Sequence, residues 1–73
     1  MREEVARRVM SELEGNGYEP RLHEPEEEDG PFSISIPGHG FELGDFKTMT
    51  RVAEDFGLAM GMTNDGRITL RSV

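Results

Sequence analysis

The chain has 73 residues, 15 acidic and 8 basic, for a formal net charge of −7. That length supports one domain with a small core and a stability of about 5 kcal/mol or little more. Absence of cysteine excludes disulfides, thiolate nucleophiles and cysteine-held zinc. The apolar runs are too short to span a bilayer, and the polar Met1-Arg2-Glu3-Glu4 start lacks the apolar stretch of a signal peptide. A cytoplasmic protein is the expectation.

Residues 3–14 carry Val5, Val9, Met10 and Leu13 at helical spacing, with Ala6 beside them. Glu3 and Glu4 suit the helix N-terminus, and each precedes an arginine by four residues, Arg7 and Arg8. Gly15-Asn16-Gly17 stops the helix. Residues 18–23 alternate as a strand, with Tyr18, Pro20 and Leu22 on one side. Pro20 lacks a donor and marks an edge or ragged strand whose pairing the sequence leaves open. Residues 24–30 hold five acids in seven positions and are expected to form a mobile loop. Phe32, Ile34 and Ile36 alternate with Ser33 and Ser35, which is the clearest strand in the chain.

Pro37-Gly38-His39-Gly40 reads as a mobile connector, since it lacks the remaining glycine and the lysine of a phosphate loop. Asp45 is the expected N-cap of a second helix whose stripe is Phe46, Met49, Val52, Ala53 and Phe56, ended by Gly57. Residues 58–62 form a strand, Asp65-Gly66 a turn, and residues 67–73 the last strand. Met10, Met49, Met60 and Met62 are expected in the core as gap-fillers.

The order α-β-β-α-β-β predicts a two-layer α+β domain over residues 1–73. One four-stranded antiparallel sheet carries both helices on one face. The element order is that of a ferredoxin-like βαββαβ chain with its first strand moved to the end. The period of two then assigns the open face: Arg21, His23, Ser33, Ser35, Ala59, Gly61, Arg67, Thr69 and Arg71, with Glu19 as its one acid. This face is polar and locally basic, whereas the helices and the 24–29 run hold most of the acid.

Catalysis finds little support. Ser11, Ser33, Ser35 and Ser72 lie outside any nucleophile-elbow motif. His23 and His39, even with Glu24 or Glu42, have no metal-ligand spacing, and no cofactor motif is present. The expected function is non-enzymatic: a protein-binding or regulatory module. Its partner is another protein or a second copy of itself, taken by the open face through Arg21, Arg67 and Arg71 or by the loop through Glu26, Glu27 and Glu28. The alternative is RNA or single-stranded DNA on the basic face. Two features weigh against it: no exposed aromatic is available for stacking, and the net charge is negative.

Overall fold

A computed structural model describes all of residues 1–73. Its elements are α1 (Glu3–Gly15), β1 (Arg21–His23), β2 (Ser33–Pro37), α2 (Leu43–Phe56), β3 (Leu58–Met62) and β4 (Arg67–Ser72). The strands form one antiparallel sheet in the order β1-β2-β4-β3. This is the predicted αββαββ architecture, and the strand order is consistent with a permuted ferredoxin-like arrangement. No helix is long and apolar enough to cross a membrane.

The core follows from amphipathic patterning. Ala6, Val9 and Leu13 of α1 and Met49, Val52 and Ala53 of α2 pack on Ile34, Ile36, Ile68 and Leu70 of the two central strands, all buried. Cross-strand register sets Ile34 beside Leu70 and Ile36 beside Ile68, so the most buried residues share one sheet face.

Several local expectations change. Strand β1 is only three residues long, because Pro20 offers no donor for a longer ladder. The N-cap of α2 is Glu42, and Asp45 sits three residues inside the helix. Its carboxylate accepts from the Glu42 backbone N–H at 2.8 Å and from the Tyr18 hydroxyl at 2.7 Å. Tyr18, Phe41 and Phe46 pack around this contact, Tyr18 tilted against Phe41 at 5.7 Å between centroids and Phe41 edge-on to Phe46 at 5.3 Å. Of the two anticipated helix pairs, Glu3–Arg7 forms at 2.8 Å. Arg8 instead lies 6.0 Å above the Phe56 ring, which ties α1 to the end of α2.

Met60 and Met62 point to the helix face as their alternation demands, yet they are 43% and 65% exposed. Strand β3 is the sheet edge, and the helix layer stops short of its rim. Met1 is buried instead, and its backbone brackets Phe32: the Met1 amino group donates to the Phe32 carbonyl, and the Phe32 N–H donates to the Met1 carbonyl.

The Asp45 carboxyl is held below the ordinary aspartate value of 3.8, chiefly by the Glu42 amide and next by the Tyr18 hydroxyl. A depressed folded-state pKa contributes stability above the unfolded value and loses it as pH falls through the folded one. Asp45→Asn is therefore expected to flatten the acid limb of a stability–pH profile below about pH 3.8. Urea melts across that range measure it; an unchanged limb would contradict the contact.

Candidate partner-binding face

With both helices on one side, the opposite face of the sheet is uncovered. Its centre is Ser35 on β2. Register places Arg21 of β1 and Thr69 of β4 directly beside it. His23 and Arg67 stand at the two diagonal positions. All four share one face because the side-chain period of a strand is two.

Ser35 is the single buried polar residue, 2% exposed, and its hydroxyl organises the cluster. Arg67 Nε donates to Ser35 Oγ at 2.9 Å, and Arg67 Nη2 donates to the Ser35 carbonyl at 3.2 Å. His23 Nε2 lies 2.6 Å from the same hydroxyl. With Arg67 donating, the hydroxyl proton is free to point at His23 Nε2 when that nitrogen is unprotonated. The guanidinium is therefore held flat against β2 with its direction fixed, while Arg21 and Arg71 remain exposed.

The three arginines frame a triangle. Arg67 and Arg71 are four residues apart on β4, roughly 13 Å, and Arg21 is two strands away, roughly 12 Å from each by strand spacing. None of the three lies within ion-pair distance of a carboxylate; the ion pairs of the protein are Glu3–Arg7 and Glu12–Arg51, both on the helix side. A chain of net charge −7 thus keeps three cations out of ion-pair contact on one face, and of the three Arg67 alone has a carboxylate near enough to act on, that of Asp65. Ala59 and Gly61 extend this face across β3, with Gly61 opposite Thr69. Small side chains there leave the surface low and open. Glu19, expected on the face, precedes β1 and is outside the ladder.

The second set of candidates, Glu26, Glu27 and Glu28, is placed elsewhere. These exposed residues sit in the β1–β2 connection, which folds back on itself: the Gly30 N–H bonds the Glu27 carbonyl at 3.0 Å, and Gly30 packs closely on Pro25. This connection extends from the end of the hairpin, and no ion pair links it to the arginines. The two candidate surfaces are separate.

The Ser35–His23–Arg67 cluster was not evident in the sequence as a unit. Alternation puts the three on one face, but diagonal adjacency requires the register of two strand pairs. The Ser–His contact has the components of a nucleophile and its base, yet its hydroxyl is buried and already engaged by Arg67. The largest depression of the surface, about 600 Å³, lies on the helix side along Glu4, Arg7, Arg8, Ser11, Glu12 and Phe56. His39 is exposed in the β2–α2 connection, remote from His23 at the far end of β1, so the two histidines do not converge. Histidine, aspartate and glutamate side chains form no cluster of metal-binding size.

Comparison with known proteins adds no assignment: no family model, no curated protein and no solved structure matches the chain, and the chemistry of the face is read from its own residues.

Proposed function

We propose that this is a non-catalytic protein-binding module of the cytoplasm whose open sheet face takes an acidic segment of a protein partner. The observation that carries this reading is the set of three arginines without an ion pair on a helix-free face, in a chain whose remaining residues are acidic on balance. Arg67 is pre-organised by Ser35, which lowers the ordering cost of a bidentate contact to a carboxylate. Arg21 and Arg71 are free to close on the ligand from the other two corners. A flat, polar surface with small residues at one side suits an extended peptide better than a small molecule, which favours a concave, mostly apolar site. Nucleic acid fits less well, because the outer positions of the four strands hold no phenylalanine, tyrosine or tryptophan to stack on a base, and the one imidazole there, His23, is engaged by Ser35.

Calorimetric titration at low salt with a hexaglutamate peptide and, separately, with a single-stranded oligonucleotide tests the proposal. Saturable peptide binding, weakened about five- to tenfold in an Arg21→Ala/Arg71→Ala variant, is expected. Both arginines are exposed, so the variant keeps the fold. Failure to bind the peptide, or tighter binding of the oligonucleotide lost in the same variant, would overturn it.

A further inference from the structure

The two edges of the sheet differ. Strand β1 has three residues and follows Pro20, which blunts it. Strand β3, Leu-Ala-Met-Gly-Met, has five residues and contains neither charge nor proline. It lacks the usual devices that keep an edge from pairing. The direction of its free backbone groups follows from the turn beside it. The Thr63 N–H bonds the Arg67 carbonyl at 2.8 Å, and antiparallel alternation then directs Gly61 and Ala59 toward β4. Leu58, Met60 and Met62 are left with N–H and C=O pointing out of the sheet.

From this edge we infer that β3 pairs antiparallel with β3 of a second copy, about a two-fold axis at Met60. In that register Met60 faces Met60 of the partner copy and Leu58 faces Met62. Every outward backbone group finds a partner, on the order of six hydrogen bonds. The side chains of these residues all lie on the helix face. The 43% and 65% exposure of Met60 and Met62 is removed by mutual contact.

The helix layer supplies an independent reason for a second copy. Asp45 and Arg51 of α2 face α1 and its connection, through the Tyr18 hydrogen bond and the Glu12 ion pair. At about 100° per residue, Leu43, Thr50 and Glu54 fall toward the other flank, above the free edge of β3, and Lys47 lies beside Glu54 on the outer side of the helix. Helix α2 runs back along β3 and is joined to it by Gly57 alone, so Thr50 stands near the level of Met60. A two-fold axis there lays the two α2 helices antiparallel and sets Lys47 of one copy against Glu54 of the other, twice. Neither residue has an ion partner within its own chain. Leu43, 71% exposed, comes to the level of the partner copy's Leu58. The flank is complementary to itself in both charge and apolar surface. The resulting sheet is twice as wide, and its open face remains uncovered on the opposite side.

Sedimentation equilibrium with light scattering across a concentration series tests this arrangement. A dimer is expected. Met60→Lys, at an exposed position, puts two ammonium groups face to face on the axis and is expected to raise the dissociation constant at least a hundredfold with the monomer still folded. Lys47→Glu and Glu54→Lys are each expected to weaken the dimer about three- to tenfold, and the double swap to restore it. A wild-type protein that stays monomeric, a dimer indifferent to Met60→Lys, or a double swap as weak as the single ones would overturn it.

Discussion

Leu70→Ala is expected to lower stability by about 3 kcal/mol, which approaches the whole stability of a domain this size. Leu70 has no exposed surface and occupies the centre of β4, with Ile34 on one side and Met60 on the other. Truncation removes its transfer energy and leaves a cavity that close-packed neighbours from both helices cannot refill. The melting temperature should fall by roughly 10–20 °C. Met62→Ala, at a position of the same sheet face but 65% exposed in the single chain, should cost less than about 0.5 kcal/mol when both variants are melted as monomers, at concentrations below the dissociation constant of any dimer. Thermal and urea melts of the two variants compare a core position with a rim position. Equal losses would contradict the placement of β3 at an uncovered edge.

The second large effect is expected at Gly38. Its N–H bonds the Gly66 carbonyl at 3.0 Å, which clamps the β2–α2 connection onto the β3–β4 turn. A Cβ at residue 38 would stand 2.6 Å from the Gly66 oxygen and 3.2 Å from Ile68 Cγ1. Backbone cannot rotate aside as a flexible side chain does, so Gly38→Ala should cost about 2–3 kcal/mol. Gly40 is the useful comparison. Its φ of +82° strains an alanine, but no atom lies within 4 Å of the added carbon, and about 1 kcal/mol is expected. If both variants melt alike, the close approach at Gly38 is not a structural constraint. The clamp also bears on the candidate face, because Gly66 precedes Arg67 and fixes where β4 begins.

The sequence carried the architecture because its blocks are clean. Phe32 to Ile36 and Arg67 to Arg71 alternate without interruption, and the helical stripes end at glycines. The period of two was enough to put Arg21, Arg67 and Arg71 on one uncovered face. It could not show that Ser35 lies between Arg67 and His23, since those are diagonal neighbours on different strands. Nor could alternation distinguish Ile68 from Met62, which sit opposite each other on the same face. One is under the helices and the other beyond their reach, and that difference depends on where α2 stops. Gly38 read as a flexible connector for a similar reason: the backbone it touches is 28 residues away in sequence. Alternation also separated a locally basic face from acidic helices and an acidic loop within the total of −7, but it could not show which charges pair. The arginines without an ion pair became apparent only when every ion pair was found on the helix side.

The central claim, that the open face is the binding surface, is tested most directly by amide chemical shifts of the labelled protein during titration with the acidic peptide at low salt. The expected result is a saturable set of shifts on Arg21, Ser35, Gly61, Thr69 and Arg71, reversed by added salt. Shifts confined to the helices or to residues 24–30, or none at saturating peptide, would contradict it.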